Sequence, residues 1–111
     1  MSQARKPSVE VSTSSDAEAE FRKLYKSFKK SGNIAEWLEN NYLDYKLVIT
    51  SGKDIEEIRL LGAFGGPTVW HILDDNCFRI ERYEFGSQLM TSEYCSREVG
   101  EIFDKLAEER L

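Results

Sequence analysis

The apolar positions of this chain change their spacing partway along. Phe21, Leu24, Tyr25 and Phe28 recur at intervals of three and four, the signature of one helix face. Ser15 with Glu18 three residues later forms a capping-box pattern, so the helix is expected to begin after Ser15. Acids in its first turn and Lys29 and Lys30 in its last suit the helix dipole. Gly32 supplies a stop. Asn33 and Glu36 repeat the capping pattern, and Ile34, Trp37 and Leu38 make the apolar face of a second, short helix ending near Asn40-Asn41.

The period then falls to two. Tyr45, Leu47 and Ile49 alternate with Lys46, Val48 and Thr50, which predicts a first strand. After the turn Ser51-Gly52-Lys53-Asp54, Ile58 to Leu61 predicts a second. The break Phe64-Gly65-Gly66-Pro67 leads to a third over Thr68 to Leu73. The hairpin turn Asp74-Asp75-Asn76 leads to a fourth over Cys77 to Phe85. Gly86 to Thr91 reads as a connection and Ser92 as the cap of a last helix. The stripe of that helix is Cys95, Val99, Ile102, Phe103 and Leu106.

The predicted fold class is therefore α+β in two layers: a four-stranded antiparallel meander with helices on one face, in the order ααββββα. Residues 1–15, with Pro7 and the run Ser12-Thr13-Ser14-Ser15, read as a flexible arm, and 16–111 as a single domain. Leu47, Ile49, Ile58, Leu60, Phe78 and Ile80 should meet the helices. The opposite face would hold Val48 and Leu61 among Lys46, Arg59, Arg79 and Glu81. The third strand places apolar groups on both sides, which motivates a homodimer or partner-binding face. Long Arg and Lys stems laid over a central strand are the plainer reading of the same residues.

Length and composition narrow the function classes. The chain has 111 residues, 41% of them hydrophobic and 32% charged, enough for one core without a disulfide or metal staple. No run approaches a membrane span, and Met1 to Lys6 lacks the apolar stretch of a signal peptide. Two cysteines without framework spacing suit a reducing, cytoplasmic setting. The net charge of −5 opposes nucleic-acid binding on average. It is unevenly spread: residues 16–31 carry +2 and residues 86–111 carry −3.

No residue group here specifies a catalytic centre, a metal site or a cofactor. His71 with Cys77 or Cys95 would be the nucleophile pair of a small hydrolase, but no orienting acid or nucleophile elbow accompanies it. Two cysteines and one histidine also lack the grouping of a zinc site. Asp74-Asp75-Asn76 is explained by a hairpin turn without a cation. Glu81 and Glu84, at odd separation on a strand, point to opposite faces and make no acid–base dyad.

Gly65, Gly66 and Pro67 read as a structural turn, since a strand rather than a phosphate-cradling helix follows. Residues 42–85, through Tyr45 to Thr50, Ile58 to Leu61 and Gly65-Gly66-Pro67-Thr68-Val69-Trp70, resemble small uncharacterised proteins of phages, plasmids and related mobile elements. These place Gly-Gly-Pro between two strands. The resemblance implies an accessory or anti-defence protein rather than a metabolic enzyme, and it carries no catalytic residues; the expected mode of action is binding to a protein partner.

The candidate protein-binding positions are Val48, Leu61, Val69 and His71 on the sheet and Glu98, Glu101, Asp104 and Glu108 on the last helix. There, with Glu93 and Glu109, the acids could mimic a row of phosphates. The alternative is a nucleic-acid surface on the first helix, made by Arg22, Lys23, Lys26, Lys29 and Lys30.

Overall fold

The computed structural model describes residues 10–11, 14–52, 54–65, 67–84 and 87–109. Its elements are β1 (Glu10–Val11), α1 (Ser14–Lys30), α2 (Ile34–Asn41), β2 (Asp44–Ile49), β3 (Ile55–Ala63), β4 (Thr68–Leu73), β5 (Cys77–Glu84), β6 (Ser87–Cys95) and α3 (Arg97–Glu109). The strands form one sheet in the order β1-β6-β5-β4-β3-β2. Strands β2 to β6 are an antiparallel meander, and β1 adds to β6 in parallel.

The α+β class and the antiparallel meander agree with the sequence reading; the strand count does not. Residues 87–95, expected to be a connection and a helix cap, are the fifth antiparallel strand. The reason lies in the inward positions. Ser92 is fully buried among the apolar rows, so a polar residue stands where alternation should show an apolar one. Cys95 and Glu93 accordingly belong to β6, not to the last helix, which starts only at Arg97. The expected arm contains β1, and α1 begins at Ser14; residues 1–9, 12 and 13 lie outside the described residues. The second helix is capped as expected, with Asn33 Oδ1 accepting from the Glu36 N–H at 3.0 Å.

Register assigns the sheet's two faces. Leu60, His71, Ile80 and Ser92 share one row, and Leu47, Ile58, Leu73, Phe78 and Tyr94 the next. These rows meet the helices. Ala17, Phe21 and Leu24 of α1, Trp37 and Leu38 of α2, and Val99, Ile102, Phe103 and Leu106 of α3 close the core over them. Ile49 departs from the expected inward set. A register shift between Val48 and Ile49 leaves it 54% exposed. On the opposite face Lys46, Arg59, Ile72, Arg79 and Glu93 form one row, and Asp44, Leu61, Trp70, Glu81 and Thr91 the next.

The β4–β5 turn is closed by Asp74, whose Oδ1 accepts from the Asn76 and Cys77 N–H groups at 2.9 and 2.6 Å. The turn is tied to the start of α3: Ser96 N–H donates to the Asn76 carbonyl at 3.0 Å. Cys77 and Cys95, directly opposed across β5 and β6, form a disulfide. The expectation of two free thiols is thereby corrected, and with it the argument for a reducing compartment that free thiols supplied. No helix among the described residues is long and apolar enough to cross a membrane.

Candidate functional sites on the two faces of the sheet

The open face is dominated by a closed ring of charges. Arg59 contacts Glu57 at 3.1 Å and Glu81 at 3.1 Å; Arg79 contacts Glu81 at 2.9 Å and Glu57 at 3.3 Å. The four residues come from β3 and β5, which flank β4, so the ring spans the central strand. Ile72, whose register partners are Arg59 and Arg79, is 1% exposed although it lies outside the helix-side core. The long Arg stems therefore seal the third strand's outward apolar side, and the apolar surface that motivated a dimer through this strand is not free there.

The ring is fixed further by Tyr83, whose hydroxyl donates to Glu81 Oε1 at 2.7 Å. Burial works to raise the Glu81 carboxyl. The hydrogen bonds from Tyr83 and Arg79 and the charges of Arg79 and Arg59 outweigh it and hold Glu81 below the usual carboxylate range. Trp70 lies beside the ring, half-buried, with Lys46 Nζ 5.4 Å and Arg59 Cζ 5.5 Å from its ring centre. Val48 and Leu61, both half-buried, belong to the same face.

Val69 and His71 do not join them. His71 shares its row with Leu60 and Ile80 and points toward the helices, and Val69 packs against the core. The reading that grouped these four as one binding face is corrected by strand alternation. Among the acids of the last helix, Glu101, Asp104 and Glu108 are exposed on α3 and Glu98 is half-buried. Because α3 packs on the helix side, these acids and the open sheet face do not form one surface. Glu101 also accepts from the Tyr25 hydroxyl at 2.7 Å.

On the helix side, His71 and Tyr42 form the floor of a cleft of about 350 Å³ between the α1–α2 corner and the sheet. Leu24, Trp37 and Val69 line it, with Glu20 and Lys23 contributed by α1. Tyr42 Oη and His71 Nδ1 are 2.8 Å apart. Burial lowers the His71 pKa, against a smaller opposing pull from the Glu20 carboxylate. Burial raises the Tyr42 phenol, with Glu20 adding to the effect. Both partners of this hydrogen bond are therefore neutral near pH 7. The rings continue a train of aromatic contacts from Phe28 through Trp37, Tyr42 and His71 to Phe78 and Phe21. That relay was invisible in the sequence, where its members are scattered over 58 positions from Phe21 to Phe78.

The Cys–His nucleophile pair is not assembled. Cys77 and Cys95 are bonded to each other, and His71 is held by Tyr42 on the other side of the sheet. Cys77, Cys95 and Glu93 lie close together, but joined sulfurs offer no thiolate to a metal. Gly65 and Pro67 lie between β3 and β4: Gly65 has φ 118°, and its N–H donates to Thr68 Oγ1 at 3.3 Å. Gly66 lies outside the described residues.

On α1, Arg22 pairs with Glu18, and Lys29 Nζ lies 5.1 Å from the Tyr25 ring centre. Lys23, Lys26 and Lys30 line a shallow hollow of about 540 Å³ with Ser27, Ser31 and Asn40. Comparison with family models, with curated proteins and with solved structures finds no match for this chain.

Proposed function

We propose that this chain is a non-enzymatic interaction protein that docks a folded protein partner on its open sheet face. The observation that carries the reading is the Trp70 surface itself. An aromatic ring lies against two cations with Leu61 as its register partner, framed by arginines already held in place by Glu57 and Glu81. Trp, Tyr and Arg contribute most of the binding energy at protein interfaces, and side chains fixed beforehand lose less freedom on docking. The partner that suits this surface offers an apolar group to Trp70 and mixed charges to the ring. The resemblance of residues 42–85 to mobile-element proteins supports an accessory or anti-defence role for such a contact.

The test is affinity capture with quantitative mass spectrometry on wild type, Trp70→Ala and a Glu101→Ala/Asp104→Ala control on α3. A protein recovered by wild type and by the α3 control but lost with Trp70→Ala supports the reading. Recovery that is indifferent to Trp70 sinks it.

A second reading has its own observation. Lys23, Lys26 and Lys30 surround one hollow rimmed by hydroxyl and amide groups, an arrangement that suits the phosphates of a nucleic acid. Retardation of nucleic acid in a gel that weakens with salt and is lost when these three lysines are neutralised would favour it. No retardation at low salt would remove it.

A further inference from the structure

We propose that two copies of the chain pair antiparallel along β2, centred on Tyr45, so that their sheets join into one. Four observations converge on this strand.

The first is topological. β2 is the long end strand of the sheet; the other end strand, β1, has two residues and pairs with Met90 and Thr91 of β6. An uncovered edge presents unpaired backbone donors and acceptors that another strand can satisfy.

The second is the direction of the backbone. The Tyr45 N–H donates to the Asp44 Oδ1 at 2.8 Å. That donor therefore points away from the sheet, and by alternation so do the backbone groups of Leu47. The exposed carboxylate of its neighbour is a provisional acceptor for it.

The third is apolar surface. Leu43 is 66% and Tyr45 39% exposed. Beside them a hollow of about 400 Å³ is walled by Ala35, Leu38, Tyr42 and Leu43. A second copy's Tyr45 ring, directly opposite in this register, fills it, and Leu43 of each copy meets Leu47 of the other.

The fourth is charge. The Tyr45-centred register sets Asp44 opposite the second copy's Lys46, and Lys46 opposite its Asp44. Both residues lie exposed on the open face, so pairing makes two cross-strand ion pairs and opposes no like charges. On association Asp44 exchanges the Tyr45 N–H for an ammonium, and that N–H donates to the facing Tyr45 carbonyl.

The register makes a sharp test. In sedimentation equilibrium the wild type should shift with concentration from 12.8 kDa toward twice that mass. Asp44→Lys sets lysine against lysine and Lys46→Asp sets aspartate against aspartate. Each single variant should weaken the dimer about tenfold or more. The double variant D44K/K46D restores complementarity and should return to near wild-type affinity. Both positions are exposed, and a far-ultraviolet circular dichroism spectrum matched to wild type verifies the fold of each variant. A 12.8 kDa species at every concentration overturns the proposal. So does a dimer that neither single variant weakens, or one that the double variant fails to rescue. The dimer leaves Trp70 accessible, so Trp70→Ala should dimerise normally. Failure of this proposal is thus separable from failure of the partner-docking reading.

Discussion

The Tyr42 hydroxyl and the His71 Nδ1 meet at 2.8 Å where the second helix hands over to the sheet, joining residues 29 positions apart. The pair has a pH signature. The folded state holds His71 at a lowered pKa, so it binds that proton less readily than the unfolded chain does. The stability contributed by the neutral imidazole is complete above its ordinary value of about 6.5 and is lost as the pH falls from there through the lowered value. Thermal midpoints measured from pH 7.5 down to 5 should fall across that window in wild type. They should fall less in His71→Gln, which has no titrating ring; equal slopes would remove His71 as the cause.

The charge ring on the open face is expected to contribute to stability. Glu81 is 8% exposed and satisfies two guanidinium groups and a phenol. Glu81→Ala leaves all three without that acceptor and should cost about 1–3 kcal/mol, or roughly 5–15 °C in Tm for a domain of this size. Glu18→Ala, which removes the exposed pair with Arg22 on α1, should change Tm far less. The two melting curves measured side by side decide the matter.

The disulfide should contribute stability through the loop it closes. Cys77 and Cys95 are 18 residues apart, a span for which cross-linking stabilises by about 3 kcal/mol. Denaturant midpoints should fall on reduction of the wild type, and the Cys77→Ser/Cys95→Ser double variant should match the reduced protein with or without reductant. A midpoint insensitive to reductant would show that the link adds nothing.

Gly100 lies within α3, where alanine would ordinarily favour the helix by about 1 kcal/mol. Here a Cβ would stand 2.7 Å from the Asp75 carbonyl oxygen. Backbone cannot yield as a flexible side chain can, so Gly100→Ala should lower Tm despite its better propensity. Gly32→Ala, with nothing within 4 Å, should not. If Gly100→Ala proves stabilising, the close approach of α3 to the β4–β5 turn is wrong.

The sequence was legible where one physical signal acts alone. The α1 face shows as Phe21, Leu24 and Phe28 because helical spacing against a core admits little else. Asn33 and Glu36 fixed the start of α2 through a local hydrogen bond. Strands β3 and β5 are legible because their inward residues are apolar at Ile58 and Leu60 and at Phe78 and Ile80, and β4 because Val69, Trp70, Ile72 and Leu73 crowd one short run. β6 is not, because its inward row includes Ser92, and a serine ahead of a helix also resembles a cap. The candidate sites were harder still. Val48 and Leu61 were placed on the correct face from alternation, but Val69 and His71 were grouped with them, since residue type alone does not say which way β4 faces. The pairing of Cys77 with Cys95 depends on the hairpin register, and a register is legible only where both of its strands are.

The parallel addition of β1 to β6 limits what the uncovered β2 strand can do. Along β2 a whole strand of backbone is open, whereas at the far end β1 occupies two positions of β6 and offers only its own two residues as a ladder. Growth of the proposed dimer beyond two chains would have to start from that two-residue strand, a poor template for a fibril.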